Sequence, residues 1–231
     1  MIRLERRTFR GLDTWSGAKS FEDAEIVNCR FESCHITRSA VPGQRFLIRN
    51  VRISGCVAQA CSVQTTALED VVVDHLRHTG RSLPFLWCCV FSHVAFRGIT
   101  ASPKVNATPS PFAPAAVVQA WQETNRLYYA GVDWALDLRD AKFTALFDLP
   151  GVPADLVLRD PETQFVLRRE RVMARRTNLR PRGSISEVVL DRFIASGLPD
   201  LVVVTGRASR LFEKHLAALR ELRESGIAEQ E

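Results

Sequence analysis

The chain has 231 residues, 46% of them hydrophobic and 25% charged, which is enough apolar material for a core without disulfide or metal staples. Its formal net charge of +5 comes from 31 basic and 26 acidic residues. The apolar runs fall far short of the ~20 residues a membrane helix needs, and MIRLERRTFR carries charge with no apolar stretch behind it. The expectation is a cytoplasmic protein that makes no membrane contact.

Taken in chain order, the first half repeats itself. IVNCRFESC (Ile26–Cys34), IRNVRISGC (Ile48–Cys56), LEDVVVDHL (Leu68–Leu76) and FSHVAFRGI (Phe91–Ile99) share one template, with starts 22, 20 and 23 residues apart. It reads apolar, any, Asn/Asp/His, apolar, any, apolar, any, any, apolar. A fifth copy, LRDAKFTAL (Leu138–Leu146), starts 47 residues after the fourth, about two periods. Apolar residues that alternate with polar neighbours form the inner face of a short strand. The alignment therefore predicts one inner column of Phe31, Ile53, Val73, Phe96 and Phe143. A strand every ~20–23 residues with turns between is the pattern of a parallel β-solenoid. The third template position carries Asn28, Asn50, Asp70, His93 and Asp140, short polar groups expected to satisfy a bend as a stacked ladder.

The first copies also show a finer period of five. Ala24, Cys29 and Cys34 each stand two residues before a bulky apolar residue, Ile26, Phe31 and Ile36. Over Phe21–Ile36 the chain resembles the pentapeptide-repeat proteins. That resemblance implies a quadrilateral right-handed parallel β-helix in bacteria, filled by small and bulky apolar residues. Later copies are read as losing the five-residue beat. Members of that family that imitate DNA are strongly acidic, and this chain is not. The chain also resembles uncharacterised bacterial proteins that have segments like VDWALDL and RDPETQ, and no activity follows from that.

Pro103, Pro109, Pro111 and Pro114 forbid a regular helix or a central strand and predict an extended surface loop. AAVVQAWQETNRLYY then reads as a helix held by Trp121, Tyr128 and Tyr129, making an insertion at about residues 101–130. Residues 1–150 are thus assigned to the solenoid, and residues 151–231 to a small C-terminal α/β lobe or cap. In that lobe the pattern predicts a strand over 163–169, a helix opened by the Ser184–Glu187 capping box and running to Gly197, a buried strand over 201–205, and a final amphipathic helix ending at Gly226. The fold class is mainly β: a right-handed parallel β-helix with an inserted helix and an α/β cap.

The candidate chemistry is sparse. Template positions seven and eight put Glu32, Asp74, His75 and Arg97 on the outward side, where a carboxylate, an imidazole and a guanidinium could do acid–base work on a polysaccharide. Outward charge on a strand is also an ordinary solvated face. Arg168, Arg169, Arg171, Arg175, Arg176, Arg180 and Arg182 make a basic segment with only Glu170 against it. It is read as a binding surface for an acidic protein, as a weaker nucleic-acid site lacking aromatic interleaving, or as a solvated edge and loop. The six cysteines form no CxxC pair, and Cys88-Cys89 reads as core packing. Asp133 and Asp137 read as turn or edge carboxylates. Thr205–Ser209, between a strand and a helix, offers at most a weak anion site. No motif calls for a metal or a cofactor. The function expected is a non-catalytic scaffold binding a protein partner, of the immunity or antitoxin type. A β-helix enzyme on polysaccharide and a nucleic-acid binder are the alternatives.

Overall fold

A residue in the left-handed backbone region turns a chain sharply, and such residues recur here every five positions. In the computed structural model, which describes residues 1–13, 19–36, 41–80, 82–175 and 185–229, Asn50, Gly55, Ala60, Thr65, Asp70 and His75 all have φ between 44° and 63°. Asp23, Asn28 and Ser33 precede them at the same interval, and Cys88, His93 and Gly98 follow. The five-residue beat therefore runs through the later repeats as well. Sequence reading loses it there because backbone conformation keeps the period after the side chains have diversified.

Between these corners lie short strands that visit three parallel sheets in rotation. The first circuit holds β1 (Ile2–Glu5) and β2 (Thr8–Arg10). The second holds β3 (Ser20–Val27), β4 (Arg30–Glu32) and β5 (His35–Ile36), and the third β6 (Phe46–Ser54), β7 (Val57–Gln59) and β8 (Ser62–Gln64). The fourth has β9 (Thr66–Asp74), β10 (Arg77–His78) and β11 (Phe85–Trp87), and the fifth β12 (Val90–Ser92), β13 (Val94–Thr100) and β14 (Lys104–Asn106). The proline-rich stretch thus contributes a strand as well as a loop, because β14 lies beside β11 in register, Val105 opposite Leu86. Helix α1 (Ala115–Tyr129) interrupts the series, with Pro114 immediately before it, and β15 (Leu136–Asp137), β16 (Ala141–Phe143), β17 (Phe147–Asp148) and β18 (Val157–Leu158) follow. The first sheet runs β1-β3-β6-β9-β13-β15-β18, the second β2-β4-β7-β10, and the third β5-β8-β11-β14.

The register corrects the predicted column. Ile53 lies opposite Val73, and Val73 opposite Phe96, as expected. However, the neighbour of Ile53 in the preceding circuit is Ile26, while Phe31 lies in the second sheet between Phe9 and Ala58. Phe143 stands opposite Thr100, with its ring centroid 5.7 Å from that of Phe96. The cause is the period of five. A shift of five residues moves the chain on by one side of the circuit, where the same small and bulky alternation recurs, so the template matched the wrong side at both ends.

The last part of the chain carries strands and helices, and its sheet is antiparallel. Strand β19 (Gln164–Arg168) and β17 both pair with β20 (Asp200–Val204). Helices α2 (Arg169–Arg175), α3 (Ile185–Ser196) and α4 (Phe212–Glu224) cover one side. The start of the predicted capping box at Ser184 lies outside the described residues. Alternation along β20 gives it two jobs. Val202 and Val204 belong to the core of the circuits, whereas Leu201 and Val203 belong to the core formed with Phe193, Leu216 and Leu219. The lobe sheet therefore lies between two cores, and it covers the late end of the stacked circuits. No helix among the described residues is long and apolar enough to cross a membrane.

Candidate functional site

Two polar corner rows flank the strip of the first sheet between Asp70 and His75. The first row contains Asn50, Asp70 and His93, as the ladder reading expects, but its ends are Asp23 and Asp133 rather than Asn28 and Asp140. Asn50 Nδ2 donates to Asp23 Oδ1 at 2.6 Å. His93 Nδ1 lies 3.1 Å from Asp70 Oδ1, and its Nε2 lies 2.6 Å from Asp133 Oδ1. The hydrogen bond to Asp133 raises the imidazole pKa above its usual value, against desolvation and with further help from the bond to Asp70. Asp133 is held below the usual carboxylate range chiefly by His93. Trp134 packs against the imidazole at 4.8 Å between centroids. The missed residue Asp23 had a visible signal, because Phe21-Glu22-Asp23-Ala24 fits the template one side earlier.

The second row runs through Asn28, Gly55, His75 and Gly98, joined by backbone bonds such as Gly55 N to Asp74 O and His75 N to Arg97 O. The two glycines are needed for conformation and for space. A Cβ at Gly55 would lie 2.4 Å from Asn28 Oδ1, and one at Gly98 would lie 2.2 Å from His75 Cε1. Asp140 belongs here too, its carbonyl accepting from Gly98 N and its carboxylate 3.5 Å from Arg97 Nε.

Of the four candidate catalytic residues, the structure brings three together. Asp74 lies opposite Arg97 on adjacent strands, and Asp74 Oδ1 is 2.6 Å from His75 Nδ1. Glu32 is elsewhere. It stands between Arg10 and Gln59 in the second sheet, bonded to Arg10 at 2.7 Å and Arg30 at 2.6 Å. Those arginines hold its carboxyl below the usual range. The displacement is again one side of the circuit. Arg97, for its part, donates to Asp137 Oδ2 at 2.7 Å. Burial pushes the Asp137 carboxyl up, but the bonds from Arg139 and Arg97 outweigh it and hold the group at about 2. An acid–base constellation that needs Glu32 beside His75 is not assembled, and Arg97 is committed to a buried carboxylate.

The basic segment is divided as well. Arg168 bridges Asp155, Asp200 and Glu229, with contacts of 3.2 Å to Asp200 and 3.0 Å to Glu229. Arg169 and Arg175 donate to the backbone carbonyls of Ile194 and Ser225. Arg171 is exposed on α2, a helix where a strand edge and loop were expected, and Arg176, Arg180 and Arg182 lie outside the described residues. Three of the basic side chains thus fasten the lobe together. Thr205–Ser209 is likewise occupied, since Thr205 N bonds Thr163 O and Ala208 N bonds Phe143 O.

Cys88 and Cys89 are both buried. Burial takes the Cys89 thiol up to about 12 and raises Cys88 too, even though Arg45 lies beside it. Arg45 was not singled out from sequence, yet it pins α1 to the circuits. It donates to Cys88 O at 2.7 Å, bonds the Asn125 side chain and lies 4.8 Å from the Trp121 ring. Among the described residues, no group of three or more His, Cys, Asp or Glu side chains is placed to hold a metal ion. Comparisons of the chain with protein-family models, with curated proteins and with solved structures gave no match.

Proposed function

We propose that the chain is a non-catalytic recognition scaffold that binds a protein partner on the outside of a right-handed parallel β-solenoid of the pentapeptide-repeat type. The right hand follows from the strong preference of parallel strand crossovers for that sense. The five-residue spacing of left-handed corners supports the kinship. Sequestering another protein, as an immunity protein or an antitoxin does, is the class of role such a surface suits.

The observation that carries this reading is the ordering of the outward side chains. Arg3 pairs with Glu25 at 2.9 Å, Arg49 with Glu69 at 2.8 Å, and Glu32 with Arg10 at 2.7 Å, each across a step between neighbouring strands. Exposed pairs of this kind add little stability. What they provide is a rigid display of side chains already in place, which lowers the ordering cost of association. Capture of partners on the immobilised full chain, followed by titration of each purified candidate, tests the reading. A one-to-one complex with a dissociation constant below about 1 μM is the expected outcome. A chain that migrates alone in its own cell extract, with no purified candidate binding, would overturn it.

A further inference from the structure

Strand β11 carries an aromatic pair on its outward side. Leu86, at its middle, packs against the core of the circuits, as do Ile36 and Val63 beside it, and Val105 is part of that core. Alternation then puts Phe85 and Trp87 on the outside of the third sheet, where both are partly exposed. Neither ring packs into the core of the circuits or of the lobe. The two lie nearly parallel, with 11° between their planes and 5.9 Å between centroids. Register places Ser62 and Gln64 beside them on one side, and Lys104 and Asn106 on the other. His35 extends the row, its Nδ1 2.8 Å from Ser62 Oγ. Among the described residues these two outward rows hold no carboxylate and no arginine. The outward rows of the first and second sheets differ, for they carry the Arg3–Glu25, Arg49–Glu69 and Arg10–Glu32 pairs.

Two aromatic rings flanked by hydroxyl and amide side chains match one ligand chemistry. A pyranose has an apolar C–H face, which stacks on an aromatic ring, and a rim of hydroxyls, which calls for short neutral donors and acceptors. The strand step of ~4.8 Å sets Ser62 and Gln64 along one edge of a sugar lying on these rings, and Lys104 and Asn106 along the other. We infer that the outward face of the third sheet binds a neutral polysaccharide chain, with its sugars stacked on Phe85 and Trp87. The bases of single-stranded nucleic acid also stack on aromatic rings, but their phosphates call for a positively charged groove. Lys104 is the only lysine or arginine in these rows among the described residues, so neither that backbone nor an acidic sugar polymer finds its counter-charge here. This binding goes beyond the scaffold reading. It is also separate from Glu32, Asp74, His75 and Arg97, none of which lies on the third sheet.

The test titrates the full chain by calorimetry with cellohexaose, xylohexaose, mannohexaose and N-acetylchitohexaose, and with hexagalacturonate and oligothymidylate as charged competitors. At least one neutral hexasaccharide should bind and should protect β8, β11 and β14 in hydrogen exchange. Trp87→Ala should weaken that binding at least ~10-fold, and Phe85→Ala should weaken it too, through loss of a stacking surface. Trp87→Phe, which keeps a ring, should retain most of the affinity. Unchanged hydrogen exchange in β9 certifies the fold of each variant. Failure of all four neutral sugars to bind at ~10 mM would overturn the inference. So would native affinity in a folded Trp87→Ala chain, protection confined to another sheet, or tighter binding of hexagalacturonate or oligothymidylate than of every neutral sugar.

Discussion

His93 sits between two carboxylates from neighbouring circuits, 3.1 Å from Asp70 and 2.6 Å from Asp133, so that one imidazole ring ties the chain leaving α1 back to the fourth circuit. Both ring nitrogens donate only when the ring is charged. The folded-state value of His93 is raised above the ordinary 6.5, so its contribution is complete below that value and is lost as pH rises through the raised one. Asp133 is shifted the other way, and its part disappears only in acid. The stability difference between the native chain and His93→Gln should therefore be largest in mildly acidic solution and shrink towards alkaline pH. It should also weaken with added salt, because the site is open to solvent. Thermal unfolding of both proteins across a pH series checks this. A difference that grows with pH would be the wrong sign.

Gly98 adopts φ +62° directly under the His75 ring. Gly98→Ala should cost ~1–2 kcal/mol from the backbone conformation, with the contact against the ring adding to it. In a His75→Ala background the same change should cost less, because the ring is gone. Urea unfolding of the four proteins in the cycle measures the coupling.

Phe143 is 1% exposed and meets Phe147 at 4.7 Å and Phe96 at 5.7 Å. Phe143→Ala should destabilise the chain by ~3–5 kcal/mol, the usual cost of emptying a buried aromatic site. Truncating the exposed Phe112 should change little, as it is 91% exposed. Denaturant midpoints of the two variants decide the matter.

Arg168 joins β19 to Asp200 on β20 and to Glu229 near the end of the described chain. Asp200 is held above its usual range by burial, and Arg168 works against that burial. Arg168→Ala would leave Asp200 and Glu229 without their cation and should cost ~2–3 kcal/mol. Faster hydrogen exchange at Leu167 and Ala228, with β9 unaffected, would locate the loss in the lobe.

The parts of this architecture that rest on alternation were legible in the residues themselves. Ile53, Val73 and Phe96 recur at one position of the repeat and stack in the structure, and the apolar run over 201–204, read as a buried strand, is buried on both faces. Register was not legible at the ends, because successive sides of a circuit with a five-residue period offer nearly equivalent matches. That equivalence put Phe31 for Ile26, Asn28 for Asp23 and Glu32 for Val27, and so it scattered the candidate site. The missed helix α2 has a different cause. Its arginines were read as free charge, whereas Arg169 and Arg175 bond backbone carbonyls of the lobe.

Methyl-labelled nuclear Overhauser spectroscopy tests the stacking most directly. Ile53 should show cross-peaks to Ile26 on one side and Val73 on the other, and Val73 should show cross-peaks to the Phe96 ring. Cross-peaks from Ile53 to the Phe31 ring, with none to Ile26, would contradict the register on which both proposals stand.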